Sequence, residues 1–279
     1  MNRLADEQKR RNKQSQERWN RFLPHRRQVT RLLVDAAPTD GALCVLGAGN
    51  CNDVDLKRIS SRYREVHLVD LDTGALEAGV IRQELAHAQR VCVHGNVDVT
   101  RVANLLAQGT PDNPISDADL DQCLWSSASL KPLEISAPVD TVASVCLLSQ
   151  LLDATAKTMG QRHPRYVEMT MHLRSRHLKL LVDLVRPGGT AVLVLDFVSS
   201  LTCPDLPYVP EHLLQEKAVE LIRQQNFFTG LNPFIIQHLF LTDPELAPHV
   251  ASAEVTEPWL WDLGPRAYLV CGIVIRRTK

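Results

Sequence analysis

Short apolar runs recur along the chain, and most are followed by a segment whose apolar residues have helical spacing. A strand buried on both faces of a parallel sheet has such a run, and regular alternation of strands with helices is typical of a doubly wound sheet. The pattern predicts five such strands, which span residues 42–46, 65–69, 90–93, 139–148 and 190–195.

The segments between and after these strands predict helices over residues 53–60, 74–88, 98–108, 149–158, 166–185, 211–225 and 232–240. Asp72 or Thr73 is suited to cap the second of these helices, and Asn232 the last. Short polar side chains accept hydrogen bonds from the free N–H groups of a first helical turn. Pro187-Gly188-Gly189 is a stop signal for the long helix before it.

Residues 258–263 and 266–276 are two further strand candidates, separated only by Gly264-Pro265. A connection this short makes them an antiparallel hairpin. The predicted fold class is therefore α/β: a doubly wound, mostly parallel seven-stranded sheet with an antiparallel C-terminal hairpin strand and helices on both faces.

Residues 1–38 precede the first strand and are predicted to form a basic helical extension of a main domain at 39–279. The first 31 residues hold ten Lys or Arg and three Asp or Glu, and their apolar residues fall in two helical groups broken near Pro24. Such a stripe packs against the domain, closes over an active site as a lid, or docks an anionic partner. Prolines and polar residues at about 109–138 indicate an insertion or lid, with a short helix at 117–125.

The composition excludes several classes of protein. Of the 279 residues, 44 % are hydrophobic and the net charge is −1, so the chain buries a core and has no overall basic field for nucleic acid. The seven scattered cysteines contain no C-x-x-C pair, which favours a reducing compartment and predicts a cytoplasmic protein. There is no signal-peptide pattern and no run of 18 apolar residues for a membrane span. Metal-ligand spacing is absent too, so no metal site is predicted.

A glycine loop, Gly47-Ala48-Gly49-Asn50, follows the first predicted strand. Small residues let the backbone turn tightly there and approach a ligand closely. A dinucleotide-binding fingerprint would have a third glycine at position 52, where this chain has Asn52, so the loop argues against a bound pyrophosphate. The alternative is an ordinary turn between a strand and a helix.

Acidic residues follow the next two predicted strands. Asp70 stands 21 residues after Gly49, where a carboxylate can accept hydrogen bonds from both hydroxyls of an adenosine ribose. NAD and S-adenosylmethionine both carry those hydroxyls. Asp98 follows the third strand, where it could accept from the exocyclic amine of adenine or cap the next helix. Asp72 is interpreted as a helix cap rather than a ligand.

With these parts in this order, the chain resembles the class I S-adenosylmethionine-dependent methyltransferases from about residue 40 to 276. Residues 139–151 look like the fourth-strand motif of that family, and 184–190 resemble its turn into strand five. The resemblance implies a Rossmann-like methyltransferase domain with S-adenosyl-L-methionine as cofactor. It matches Gly47 and Gly49 to the loop around the methionine part, Asp70 to the ribose-binding acid and Asp98 to the adenine-side acid. The cofactor-binding residues so implied are Gly47, Ala48, Gly49, Asn50, Asp70, Leu71, Asp98, Val99 and Cys146.

Two positions depart from the family pattern. Val45 stands where the family usually has an acid that helps hold the amino group of the cofactor, and Cys51 stands where a third glycine is common. These departures keep open a relative that retains the fold for binding without catalysis. An NAD(P)-dependent oxidoreductase, which shares the glycine loop and Asp70, is the other alternative.

Methyl transfer requires a nucleophile aligned with the methyl carbon and, for some acceptors, removal of a proton, so few residues mark it in a sequence. The catalytic candidates are Asp196, Gln150 and Tyr208, which follow strands four and five. Asp196 is interpreted either as a base or substrate anchor, because such sheets bind ligands at the carboxyl edge, or as a helix cap or part of a structural turn. The Asn/Asp-Pro-Pro-Tyr/Phe motif of amino-methylating nucleic-acid enzymes is absent after strand four. A small-molecule acceptor is therefore expected, with no nucleic-acid or membrane partner.

Overall fold

The predicted apolar runs lie at the centre of a mixed sheet in the computed structural model, which describes residues 3–128 and 138–279. The strands are β1 (Ala42–Leu46), β2 (Glu65–Val69), β3 (Val91–His94), β4 (Val139–Val145), β5 (Val185–Ser199), β6 (Val250–Val255), β7 (Trp259–Asp262) and β8 (Ala267–Arg277). Every residue of β1, and every residue of β4 except Asp140, is buried. Their continuous apolar sequence follows from burial on both faces.

The strands are ordered β3-β2-β1-β4-β5-β8-β6, and β7 also pairs with β8. Neighbours from β3 to β5 are parallel, whereas β8 runs antiparallel to β5, β6 and β7. This arrangement confirms the predicted fold class and the hairpin. The sheet has one strand more than the predicted seven, because β6 has only a weak apolar alternation and buries just Val250 and Ala253.

The helices are α1 (Arg3–Ser15), α2 (Leu23–Asp35), α3 (Leu56–Ser60), α4 (Thr73–Arg82), α5 (Ala103–Leu106), α6 (Asp117–Ala128), α7 (Leu147–Met159), α8 (Tyr166–Leu184), α9 (Leu214–Arg223) and α10 (Pro233–Thr242). Side chains of α2, α3 and α4 share one apolar core on the first face of the sheet. Side chains of α5 to α10 share a second core on the other face. Residues of β1 alternate between the two cores, which matches the pleat of a central strand.

Local polar contacts explain where the helices begin and end. Asp72 accepts a hydrogen bond from the Ala75 N–H (3.1 Å), and Asn232 accepts from the Phe234 N–H (3.0 Å), so both predicted caps are confirmed. The helix predicted over residues 98–108 is shorter in the structure and comprises only α5. The residues between Asp98 and α5 form a turn, because the Asp98 side chain accepts hydrogen bonds from their backbone. The helix predicted over 74–88 ends at Arg82, and Glu84 adopts a left-handed φ of +59°.

Two strand boundaries also differ from the prediction. β4 ends at Val145, because Cys146 has a left-handed φ of +49° and α7 begins directly after it. β5 begins at Val185, so Pro187-Gly188-Gly189 forms an irregularity in the pairing of β5 with β4 rather than a loop before the strand.

The N-terminal residues form two helices, and Pro24 lies in the first turn of α2 instead of breaking a helix. Val29 and Leu33 of α2 are fully buried in the first core, and each contributes about 1.5–3 kcal/mol. Residues 129–137 of the predicted insertion lie outside the described residues. Among residues 3–128 and 138–279, none of the helices has the length and apolar character of a membrane span.

Candidate functional site

The glycine loop lies at the carboxyl edge of the sheet, directly after β1. Gly47 and Gly49 have φ values of +67° and +47°, in the left-handed region that glycine adopts without strain. The N–H groups of Gly47 and Ala48 both donate to the Val69 carbonyl, at 2.8 and 3.1 Å. The loop is therefore held against the end of β2, where Asp70 follows.

Asp70 is almost fully buried, with 6 % of its surface exposed. One carboxylate oxygen accepts from the Gly49 N–H (2.8 Å) and the other accepts from the Asp72 N–H (2.8 Å). Burial raises the pKa of Asp70, while these two backbone hydrogen bonds act in the opposite direction. Each oxygen keeps a second lone pair, so the carboxylate can still accept from a ligand.

Asp98 also lies at this edge of the sheet, but its carboxylate accepts hydrogen bonds from residues close to it in the chain. One oxygen accepts from the N–H and the hydroxyl of Thr100, at 2.9 and 2.6 Å, and the other accepts from the Ala103 N–H at 2.9 Å. Asp98 is not the N-cap of the next helix, because α5 begins at Ala103 after Val102; its carboxylate instead holds the turn that precedes α5. Contact between Asp98 and an adenine amine remains a prediction, with part of one oxygen still available.

Two adjoining cavities open along the carboxyl edge. The smaller has a volume of about 120 Å³ and is lined by Gly47, Asp70, Leu71, Asp98 and Val99, which are all predicted cofactor residues. The larger has a volume of about 860 Å³ and is lined by the other predicted cofactor residues, Ala48, Gly49, Asn50 and Cys146, together with Gly47. Since Gly47 borders both cavities, the glycine loop lies at the boundary between them.

Helix α1 closes the outer side of both cavities, where Gln8 and Arg11 contribute to each. Its main anchor is Asn12, whose amide donates to the Asp72 carboxylate at 3.0 Å. The amide of Asn50 donates to Ser15 Oγ at 2.8 Å, and the amide of Asn52 donates to the Ser15 carbonyl at 2.9 Å. A pocket that encloses a small ligand measures roughly 300–1,000 Å³, so a nucleoside enters the smaller cavity only if α1 moves outward.

A cluster of four charged side chains ties α1 to α7. Arg11 contacts Glu7 and Asp153, each at 3.0 Å, and Lys157 contacts the same two carboxylates. These groups are partly exposed, so each ion pair contributes at most about 1 kcal/mol. Such contacts hold a segment in place and still allow it to open.

The docking of α1 can be tested with Asn12→Ala. The substitution removes a buried hydrogen bond to Asp72, which contributes about 1–1.5 kcal/mol, so we expect amide hydrogen exchange in residues 3–15 to become about 5- to 10-fold faster. Mass spectrometry of peptides that contain residues 3–15, cut from the protein after exchange, measures this rate. Lys13→Ala, on the exposed side of the same helix, should leave it unchanged, and equal rates in both variants would show that Asn12 does not anchor α1.

Asp196 lines the larger cavity and is buried at the end of the parallel part of the sheet. Its carboxylate accepts a hydrogen bond from the Ser149 hydroxyl at 2.6 Å. Burial raises the pKa of Asp196 to about 7, and the charge of nearby Asp53 acts in the same direction. A carboxylate with this pKa exchanges a proton readily near neutral pH.

The other two catalytic candidates lie in different surroundings. Gln150 borders both cavities, and its amide donates to the Cys146 carbonyl at 3.0 Å. Tyr208 is 84 % exposed and lines neither cavity. The structure therefore brings Asp196 and Gln150 together with the glycine loop but does not bring Tyr208 there.

Sequence reasoning missed an aromatic wall of the larger cavity. Trp261 is stacked on His25, with ring centroids 4.4 Å apart, and its edges contact Phe22 and Tyr268. Trp261 is 9 % exposed, and its indole N–H has no hydrogen-bond partner among the described residues. A buried donor without a partner is costly, because the hydrogen bond that it would make to water is not replaced.

His25 supports this wall from behind. Its Nδ1 accepts a hydrogen bond from the Trp259 indole N–H at 3.0 Å, so the neutral ring carries its proton on Nε2. Nε2 lies 3.2 Å from a carboxylate oxygen of Asp53, which lines the larger cavity, although the pair lacks hydrogen-bond alignment. The pattern Trp259-x-Trp261 on a predicted strand could have indicated this wall, because alternate strand residues share a face.

No protein-family model and no curated protein matches the chain. Solved structures are similar to it at low identity. The N-methyltransferase NodS from Bradyrhizobium japonicum, in complex with S-adenosyl-L-homocysteine, is 10 % identical over 94 % of this chain and 87 % of that chain, with a TM-score of 0.45. The 1,6-didemethyltoxoflavin-N1-methyltransferase from Burkholderia thailandensis is 13 % identical over 93 % and 79 %, with a TM-score of 0.43. An S-adenosylmethionine-dependent methyltransferase from Methanosarcina mazei is 12 % identical over 88 % and 96 %, with a TM-score of 0.45. At these values a likeness assigns no activity, so the function has to be argued from the residues of this chain.

Proposed function

We propose that this protein is an S-adenosylmethionine-dependent methyltransferase that acts on a small molecule. One observation carries the proposal. A cavity with Gly47, Asp70 and Asp98 on its walls adjoins, at Gly47 and Gln150, a larger cleft that contains the buried carboxyl group of Asp196. The first compartment would take a nucleoside once α1 has moved outward, and the second has the volume for the acceptor of a transferred group.

The residues of the smaller cavity suit the adenosine part of the cofactor. The free lone pairs of Asp70 would accept hydrogen bonds from the ribose hydroxyls, and the apolar side chains of Leu71, Val97 and Val99 would contact the adenine ring. When bound, the cofactor supplies a methyl group on a sulfonium that is also the leaving group. Its binding requires no metal ligand from this loop.

The methionine end of the cofactor falls where the chain departs from the family pattern. Val45 is buried in the first core and cannot reach the cleft. Asn50 takes its place in this proposal: its amide donates to Ser15, while its side-chain oxygen is buried and has no partner among the described residues. Asn50 lines the larger cleft, and a small rotation of its side chain would let this oxygen accept from the cofactor's amino group. Cys51 adopts a φ of +54°, so it accepts the backbone conformation that a glycine would have there.

The loop geometry argues against a dinucleotide. A pyrophosphate is usually bound where a glycine loop opens directly onto the N-terminus of a helix. Here the helix that follows the loop, α3, begins only at Leu56 and is capped by Asp55, so it does not start directly at Gly47-Ala48-Gly49. Asn52 is also occupied, because its side-chain oxygen accepts from Arg82 and its amide donates to Ser15.

Asp196 is assigned the proton transfer. Its position in the acceptor cleft and its raised pKa, about 7, allow its carboxylate to take the proton that an acceptor heteroatom loses when it is methylated. The hydroxyl of Ser149 fixes the orientation of this carboxylate. The aromatic side chains of Trp261, Phe22 and Tyr268, which line the same cleft, would contact a small, flat acceptor.

Calorimetric titration of the purified protein tests the assignment of the cofactor. We expect S-adenosylhomocysteine and S-adenosylmethionine to bind with one-to-one stoichiometry, and NADH not to bind. Binding of NADH without S-adenosylhomocysteine would replace the proposal by an oxidoreductase. Cofactor binding without methyl transfer to any member of a broad acceptor panel would indicate a relative that binds but does not catalyse.

A further inference from the structure

A cluster of metal-binding side chains lies on the sheet, apart from both cavities. The parallel strands β2 and β3 pair with His67 opposite Cys92 and Val69 opposite His94. Since alternate residues of a strand share a face, Glu65 and His67 of β2 project to the same side as Cys92 and His94 of β3. The sheet therefore presents a carboxylate, a thiol and two imidazoles together.

We propose that Glu65, His67 and Cys92 form a zinc-binding site. The Cys92 sulfur lies 3.5 Å from one oxygen of Glu65, and His67 Nε2 lies 3.6 Å from the other. One ligand atom from each of the three residues can be chosen so that all lie within 4.8 Å of one another. In a tetrahedral zinc site with bonds of about 2.0–2.3 Å, neighbouring ligand atoms are about 3.3–3.8 Å apart. Whichever Glu65 oxygen binds, one of the three required distances is already present, and the other ligand atoms lie within 4.8 Å.

The donor set favours zinc over other common cations. A thiolate and an imidazole bind Zn²⁺ much better than Mg²⁺ or Ca²⁺, which prefer oxygen ligands. Three protein ligands leave a fourth position for water. On binding, the Cys92 thiol loses its proton to solvent as the zinc–sulfur bond forms.

His94 lies beside the three proposed ligands and contacts the ring of His67. Its Nε2 lies 3.0 Å from Nδ1 of His67, and the two rings are 5.2 Å apart. A metal on Nε2 of His67 requires the proton of that ring to be on Nδ1, from which it can donate to His94. A histidine ligand usually donates its second N–H to such a partner, which fixes the tautomer and the ring orientation.

The site is open to ions from solvent and rigid enough to bind them. β3 is an edge strand of the sheet, and 41 % of the Glu65 side chain is exposed, against 8 % for His67. Cys92 is the one cysteine of the seven that is not fully buried. All four side chains stand on paired strands rather than on loops, so zinc would join the edge strand β3 to β2 without moving either.

Titration of the tag-free, chelator-treated protein tests the proposal. We expect one equivalent of Co²⁺ to produce the sulfur-to-metal charge-transfer absorption of a thiolate complex and the visible bands of tetrahedral Co²⁺, and one equivalent of Zn²⁺ to abolish both. Zinc should also raise the melting temperature. Cys92→Ser should remove the charge-transfer absorption, and Glu65→Gln should lower zinc affinity even if the serine variant fails to fold.

Two histidine variants separate this site from adventitious surface binding. His94→Gln should weaken zinc binding about 10- to 100-fold, because the partner that orients His67 is lost. His87→Gln, on the exposed turn before β3, should leave zinc affinity unchanged. Absence of the cobalt absorption in the wild-type protein, its persistence in Cys92→Ser, or an equal loss in His87→Gln would overturn the proposal.

Discussion

Asp196→Asn should make the protein more stable above neutral pH and at the same time lower methyl transfer about 100-fold or more, the range typical of a lost general base. The carboxyl group has a pKa of about 7 in the folded protein, raised by burial, against about 3.9 in an unfolded chain. The folded state therefore binds the proton more tightly. Its contribution to stability is complete below pH 4 and is lost as the pH rises through 7.

Thermal unfolding across this range measures the effect. The wild-type protein should lose stability between pH 4 and 8, whereas the asparagine variant should not. At pH 8 the variant should be more stable by an amount on the order of 4 kcal/mol, or roughly 5–10 °C in melting temperature. At pH 4 the two melting temperatures should converge. Asp112→Asn, on an exposed loop, is the control, and parallel pH profiles for all three proteins would refute the role of Asp196.

The loss of turnover has its own pH signature. Wild-type activity should rise with pH through about 7, because only the ionised carboxylate accepts a proton from the acceptor. The asparagine variant should lack this rise but retain S-adenosylhomocysteine affinity, since Asp196 lines the acceptor cleft and not the smaller cavity. Weaker cofactor binding in the variant would place Asp196 in the cofactor site instead.

Asp70→Asn should weaken S-adenosylhomocysteine binding about 30- to 150-fold. The carboxylate accepts from two backbone N–H groups, those of Gly49 and Asp72, and has to accept from the ribose as well. An amide has only one acceptor oxygen, and the two backbone N–H groups donate to different oxygens of Asp70, so the NH₂ group of asparagine faces one of these donors in either orientation. Loss of charge-assisted hydrogen bonds in a buried site costs about 2–3 kcal/mol.

Calorimetry gives the affinity change, and thermal unfolding without ligand reports whether the glycine loop is intact. Asp55→Asn is a matched control, because Asp55 caps α3, lines neither cavity, and asparagine caps a helix about as well. Unchanged S-adenosylhomocysteine affinity in a well-folded Asp70→Asn protein would contradict the proposed ribose contact.

The parts of the fold that could be predicted are those with a strong local pattern. β1 and β2 have the predicted bounds, because their apolar runs end sharply at Gly47 and Asp70. The caps Asp72 and Asn232 were likewise visible in the sequence. Where a side chain competes with the backbone, the pattern misleads: Asp98 turns the chain and shortens a predicted helix to four residues.

The rest of the site depends on contacts between distant segments. Nothing local to Asn12 indicates that it meets Asp72, 60 residues away, and closes a cavity. The pairs Glu65-x-His67 and Cys92-x-His94 look unremarkable until the parallel register of β2 and β3 places them side by side. The sequence also did not show exposure, which separates buried Asp196, near the end of β5, from exposed Tyr208 in the segment after it.

The hydrogen bond between His25 and Trp259 joins residues 234 positions apart. During synthesis on the ribosome, this contact of α2 can therefore form only after β7 has been synthesised. Only then can Trp261 line the larger cavity. Most of the cofactor compartment, by contrast, is made from residues that precede 158. In a nascent chain, the residues of the smaller cavity would thus be synthesised well before those that complete the larger cavity.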